Sequence, residues 1–228
     1  MTDHAVSIVI PTLNEADTIG LMLDDLDRAR LPGDEILLID GGSHDRTVEL
    51  VTPRVDRVLE SAPGRAVQMN AGAAVARCDF LWFVHADSRI AVGTREALSD
   101  GIAHGAAWGR FDVRLSGHGC ALRLIGHMMN LRSCLTGIAT GDQGIFVRRD
   151  LFEAIGGFPS IALMEDIALS RQLKRLARPR CVRRPRLLTS GRRWEQNGVW
   201  RTVLLMWRLR LAYWAGADPS VLARRYHR

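Results

Sequence analysis

The strongest constraint on this chain is an alternation that fills its first half. Apolar runs at 5–10 (AVSIVI), 35–40 (EILLID) and 80–84 (FLWFV), with a shorter one at 55–59, alternate with helical periodicity at 15–30, 44–51, 65–76 and 92–104. Near-continuous apolar strands separated by amphipathic helices specify βαβ units and a parallel sheet flanked by helices. Such a sheet binds its ligands beyond the carboxyl ends of its strands. The residues that follow each apolar run are therefore the ones to inspect for function.

Beyond the first half the rhythm changes. Residues 106–115 read as a long, partly exposed strand, 119–135 as a helix, 143–149 as a strand and 150–158 as a short helix ending at Gly156-Gly157. Residues 165–177 form a helical pattern opened by Glu165 and Asp166, 178–186 (RPRCVRRPR) a basic, proline-broken connector, and 197–214 a further helix. No repeat, low-complexity stretch or linker interrupts the 228 residues. The expected organisation is an α/β domain over 1–190 and a basic, amphipathic helical tail over 191–228.

Several classes fall away on composition. No apolar run reaches the length of a membrane span, and the amino terminus shows neither the basic region nor the small-residue cleavage site of a secretory signal, so none is expected. Cys78, Cys120, Cys134 and Cys181 form no C-x-x-C pair, so zinc and redox motifs are unsupported and reduced thiols in the cytoplasm are expected. Charge is divided unevenly. Residues 1–115 hold 11 basic and 18 acidic side chains, whereas 116–228 hold 20 basic and 7 acidic ones. A basic carboxyl half attracts phosphate, anionic lipid or nucleic acid, but the tail has no helix-turn-helix, zinc-finger or RNP pattern, so no nucleic-acid partner is expected.

The strand ends carry the chemistry. PTLNEAD follows the first strand; Asn14 can cap the next helix with Asp17 three residues on. DGGSHDRT follows the second. There Asp40 can accept from a nucleobase or ribose, and the glycines let the backbone pass a ligand closely; an ordinary turn explains the same residues. Arg65 opens a helix against its dipole, as a phosphate-binding arginine or a solvated one. In FLWFVHADS, His85 and Asp87 are two apart and so share a side of an extended chain. Asp87 is a hard oxygen ligand suited to Mg²⁺ or Mn²⁺, and His85 tolerates Mn²⁺. Glu165-Asp166 suits a helix start electrostatically, and either carboxylate can act as general base toward a hydroxyl.

Six stretches in order, SIVIPTLNEADTI, LLIDGGSHDRT, GRAVQMNAGA, FVHADS, TGDQGIFVRRDLFEAIGGFP and LMEDIALSRQLKR, resemble small bacterial members of the family 2 glycosyltransferases with the GT-A fold. The resemblance implies an inverting transfer of a sugar from a nucleotide-sugar donor to a hydroxyl acceptor, lipid-linked acceptors included, with Mn²⁺ or Mg²⁺. Pro11, Thr12, Glu15, Asp40, Gly41, Arg65 and Asp87 match donor-binding positions. Asp87 matches the last Asp of the family's D-x-D metal motif, in which His85 replaces the first. Asp166 matches the catalytic base. Gly141, Asp142, Gln143, Glu165, Arg193 and Trp194 match the acceptor side. Arg193 and Trp194 belong to a variant of the Q-x-x-R-W motif in which Ser190 stands for the Gln, which argues against processivity. The rival reading is a protein that binds nucleotide sugars and has lost transfer.

The tail adds one pattern. Trp200, Trp207 and Trp214 recur every seven residues beside Arg201 and Arg208, which places each set on one helix stripe. The stripe suits docking on the domain, on a second copy of the chain, or on an anionic membrane surface, as a peripheral protein at the inner face of the cell membrane.

Overall fold

A computed structural model describes residues 4–117 and 119–226, without the side chain of Arg193. Strands β1 (Val6–Thr12), β2 (Glu35–Asp40), β3 (Arg57–Glu60) and β4 (Phe80–Phe83) alternate with helices α1 (Ala16–Ala29), α2 (Thr47–Val51), α3 (Arg65–Val75) and α4 (Thr94–Ala103). Then follow β5 (Trp108–Leu115), α5 (Cys120–Thr136), a single 3-10 turn at Gly141–Gln143, β6 (Phe146–Arg148), α6 (Arg149–Ala154) and α7 (Glu165–Leu176). β7 (Arg180–Thr189), α8 (Arg192–Asn197), α9 (Val199–Trp214) and α10 (Pro219–Tyr226) complete the described chain.

The strands form one sheet in the order β3-β2-β1-β4-β6-β5-β7. β1 pairs in parallel with both β2 and β4, and β2 with β3. β6 runs antiparallel between β4 and β5, and β7 returns in parallel along β5. Alternate residues of the central strands feed two cores. Ile8, Ile10, Ile36, Leu38 and Trp82 meet Ile19, Met22, Leu23 and Leu26 of α1 on one face. Val9, Leu37, Ile39, Leu81 and Phe83 meet Met69 of α3, Phe152 of α6 and Leu169 and Leu173 of α7 on the other. Burial on both faces is why these strands read as unbroken apolar runs. Gly72 lets α3 lie this close: a Cβ there would stand 2.4 Å from the Val9 side chain.

Two sequence expectations are corrected. From residue 180 on, the connector expected over 178–186 belongs to a ten-residue edge strand. Its register against β5 shifts between Phe111 and Val113, opposite Val182 and Leu187, so residues 183–186 bulge out of the ladder. Pro185, which has no N–H to give, falls inside that bulge, a placement open to proline in an edge strand. Asn14 does not cap α1, whose N-cap residue is Glu15. With φ of 55°, Asn14 accepts the His44 N–H at 2.8 Å and so joins the turns after β1 and β2.

The tail packs on the domain. Leu209 of α9 and Leu222 of α10 are buried with Met164 and Ile167 at the start of α7. The tryptophans take no part in this contact: Trp200, Trp207 and Trp214 are 72%, 68% and 76% exposed. Docking of the tryptophan stripe on the domain is thereby excluded. Among the described residues, no helix is long and apolar enough to cross a membrane.

Candidate active site

A cleft of about 520 Å³ opens at the carboxyl ends of β1 and β4. Pro11, Thr12 and Glu15 form one wall, Arg65 and its neighbours at the start of α3 another, and His85 and Asp87 the floor beyond β4. Residues 160–163, Glu165 and Tyr226 close the far side, so the tail reaches the cleft. A smaller hollow of about 300 Å³ lies at the opposite end of the sheet, around Glu35 and Arg77. It is the wrong end for ligand binding in an open α/β sheet.

Backbone and side-chain ties fix the walls. Gln68 of α3, fully inside the protein, donates from Nε2 to the carbonyls of both Thr12 and Ile39 at 2.8 Å. It locks together the ends of β1 and β2, a role the sequence did not disclose, because a lone glutamine in a helical pattern carries no positional signal. Asn70 bonds both the N–H and the C=O of Phe158, at 2.9 and 2.8 Å, and so anchors the segment that leads into 160–163.

Asp40 and Gly41 stand behind the cleft wall. The Asp40 carboxylate accepts the N–H of Gly42 at 3.0 Å, that of Ser43 at 2.8 Å and the Ser43 hydroxyl at 2.5 Å. Gly41 N–H donates to the Thr12 carbonyl at 2.9 Å. Both residues therefore build the turn after β2. Glu15, by contrast, lines the cleft, its carboxylate accepting the Thr18 hydroxyl at 2.7 Å.

On the acceptor side, the turn Gly141–Gln143 brings three residues into register. Gly141 N–H donates to Asp166 Oδ2 at 2.9 Å, and Asp166 Oδ1 accepts the Ile167 N–H at 2.7 Å. His85 Nδ1 lies 3.4 Å from Asp142 Oδ1. The His85 ring presses on Gly141 so closely that a Cβ there would stand 2.6 Å from Cε1 and Nε2. Gln143 is fully buried, and its Oε1 accepts the Thr140 N–H at 3.2 Å. It shapes the turn, while its Nε2 is buried without a hydrogen-bond partner among the described residues. Trp194 lies on α8, away from the cleft lining. The Arg193 side chain falls outside the described residues.

Met164, just before the acidic pair, has φ of 70°. A non-glycine residue held there is strained, and such strain gathers at functional sites. Met164 precedes the helix start that carries Glu165, in the cleft lining, and Asp166 next to it. Burial first, and the charge of Asp166 second, push the Glu165 carboxyl above its usual range, with Arg65 and His85 opposing. Arg65 is exposed at the cleft; the protein packed around it works against its charge, but Asp142, Glu165 and Asp166 outweigh that and raise its pKa.

The donor set fits a metal only in part. Among the described residues, no three His, Cys, Asp or Glu side chains gather as a metal cage. Asp87 alone offers a hard oxygen on the cleft floor, while His85 faces the Gly141-Asp142 turn. One carboxylate with diphosphate oxygens is a sufficient set for Mg²⁺ or Mn²⁺.

The fold is shared with known structures. TarS (residues 1–349) of S. aureus in complex with UDP-GlcNAc superposes with a TM-score of 0.67 at 18% identity, over 82% of this chain and 58% of that one. PcManGT, a mannosyltransferase from Pyrobaculum calidifontis in complex with GDP-Man and Mn²⁺, gives 0.63 at 20% identity, over 92% and 61%. This chain thus spans about three fifths of the length of those structures. No curated protein sequence matches it. The model of Glycosyl transferase family 2 matches residues 7–153, more than half of the sequence, and the chain belongs to that family.

Proposed function

We propose that the chain transfers a sugar from a nucleotide-sugar donor to an acceptor hydroxyl with inversion at the anomeric carbon. The observation that carries this reading is Glu165 in the lining of a cleft built at the correct end of the sheet, with Asp166 next to it and held by the Gly141 N–H. The nucleotide sugars held by TarS and PcManGT support it.

The donor occupies the cleft between Thr12, Glu15 and Arg65. Asp166, oriented by the Gly141 N–H, takes the proton of the acceptor hydroxyl. The oxygen attacks the anomeric carbon opposite the diphosphate, and the bond to the diphosphate breaks. Burial favours the protonated form of Glu165, which separates it in character from Asp166, the base of the pair. Arg65 faces the charge growing on the leaving group. Mg²⁺ or Mn²⁺, held by Asp87 with the diphosphate oxygens, would neutralise further charge there. His85 serves better as the holder of Asp142 than as a ligand, given its 3.4 Å approach.

Asp166→Asn tests this. Loss of a general base lowers turnover about 10²–10⁴-fold, while donor affinity should persist. Turnover equal to wild type would remove Asp166 from the reaction. Tight donor binding with no transfer by the wild type would favour the binding-only reading, which the replacement of the first D-x-D carboxylate by His85 also supports.

The tail docks on an anionic membrane surface. Leu204 and Leu211 are exposed with the three tryptophans, and Arg201 and Arg208 are exposed beside them. Indole rings at the lipid boundary with arginines at headgroups form an interfacial helix. Phosphatidylglycerol vesicles should blue-shift the tryptophan emission, less so at high salt. Dimerisation without vesicle binding would assign the stripe to a second copy of the chain.

A further inference from the structure

Two arginines near Asp166 are left without a task by this reaction. Arg132 on α5 and Arg210 on α9 are half-buried. Nη2 of Arg132 and Nε of Arg210 are closed off from solvent and have no hydrogen-bond partner among the described residues. Neither side chain has an ion pair there, in contrast to Arg95, which holds Asp34 at 2.7 Å, and Arg110, which holds Asp112. A buried, unpaired guanidinium is costly, and here two of them stand close enough to repel.

Both burial and that repulsion act on Arg132. Burial first, and Arg210 second, push the Arg132 pKa down to about 10. Burial also lowers that of Arg210. The opposing attraction comes from Asp166 in both cases, joined by Asp142 for Arg210. The pair therefore sits within the field of the acceptor-side carboxylates. Neither arginine lines the nucleotide cleft, where Arg65 is the cation.

Guanidinium groups with free N–H edges match the oxygens of a phosphoryl group or carboxylate. Two of them together match a phosphate monoester, which carries about −1.5 to −2 near neutral pH, better than a carboxylate of unit charge. We propose that Arg132 and Arg210 form a binding site for a phosphoryl group carried by the acceptor, beside Asp166 and outside the nucleotide cleft. The inference rests on the acceptor role given to Asp166. The acceptor is then a hydroxyl compound that also bears phosphate, and the pair sets how its hydroxyl meets the base. A bound phosphoryl group would also relieve the repulsion between the arginines.

The test is a calorimetric titration with inorganic phosphate of the full chain saturated with UDP or GDP, whichever binds. Phosphate should bind this complex. Arg132→Gln and Arg210→Gln should each weaken it about 10–100-fold, the worth of a charge-assisted hydrogen bond, and leave nucleotide affinity unchanged. Thermal midpoints of both variants should equal or exceed that of wild type, since each substitution removes an uncompensated charge. Absence of phosphate binding to the saturated wild type, or its persistence in the double variant, overturns the proposal. Competition between phosphate and nucleotide, with nucleotide affinity lost in both variants, also overturns it, assigning the arginines to the donor's diphosphate. Early melting of both variants would make the arginines structural. Failure of every nucleoside diphosphate to bind is a failure of the transfer reading instead. Phosphate titration of the free wild type against the double variant then still decides the arginine pair.

Discussion

Buried charge is handled in opposite ways at the two ends of the molecule. Arg95 on α4 is fully enclosed, donating to Asp34 at 2.8 and 2.7 Å, to the Ser99 hydroxyl at 2.5 Å and to the His4 carbonyl. Asp34 in turn accepts the N–H groups of Val6 and Leu31, each at 2.9 Å. Asp25 is bound by Arg89, Arg28 and the Ile90 N–H. Burial alone would raise its carboxyl, but Arg89 and Ile90 outweigh burial and hold it below the usual range. Around Asp166 the arrangement is reversed. Arg132 and Arg210 lack partners among the described residues, and Glu165 is buried beside another carboxylate. Charges satisfied inside the chain hold the fold together; the open ones are those the proposed phosphoryl group would pair.

The largest expected effect comes from breaking the satisfied side. Arg95→Met leaves Asp34 buried without its cation, which costs about 3–5 kcal/mol. Urea unfolding should show that loss with no direct effect on nucleotide affinity, because Arg95 lies outside the cleft. A variant as stable as wild type would dissolve the contrast. The same assay on Arg210→Gln should show no loss, and the difference between the two variants sharpens it.

An intermediate effect is expected at the turn that joins the halves. Gly141→Ala sets a methyl group 2.6 Å from the His85 ring. The ring must move, and the N–H that orients Asp166 moves with it. Misplacement of a reacting group by about 1 Å costs on the order of 10²-fold, so turnover should fall while donor affinity, measured by calorimetry, holds. Loss of donor affinity in the folded variant would show that the turn belongs to the nucleotide side.

This contrast also explains which parts of the molecule the sequence disclosed. β1, β2 and β4 announce themselves because a strand buried on both faces must be apolar throughout. Asp87, Glu165 and Asp166 stand out because carboxylates beside a buried strand or at a helix start need an explanation. β7 is hidden: its arginines and Pro185 read as a connector, and only pairing along β5 makes an edge strand of them. Arg132 and Arg210 are hidden for another reason. An arginine in a helical pattern ordinarily marks a solvated face, and nothing local tells that Arg132 of α5 feels the charges of Arg210 on α9 and of Asp166. Asp40 is ambiguous in the sequence, since a ligand-binding carboxylate and one that closes its own turn look alike there; the structure adds its bonds to the Gly42 and Ser43 N–H groups.

The smallest effect tests the sign of the buried charge at the open end. The Glu165 carboxyl is raised above the ordinary value of 4.5 in the folded chain. The folded state therefore holds that proton more tightly than the unfolded one, and the contribution of Glu165 is fully present below pH 4.5 and is lost as pH rises through the folded value. Asp25, held below its ordinary value, behaves oppositely: its contribution is present above 3.8 and fades as pH falls through the folded value. Glu165→Gln fixes the neutral form. Relative to wild type it should gain stability at neutral pH, within about 1 kcal/mol, and the gain should vanish at pH 4. Asp25→Asn should be destabilised at neutral pH, and its deficit should shrink on acidification. Thermal unfolding of both variants from pH 2 to pH 8 reads the two slopes. Parallel slopes would mean that Glu165 is as well satisfied as Asp25, and that the open end of the molecule is confined to its arginines.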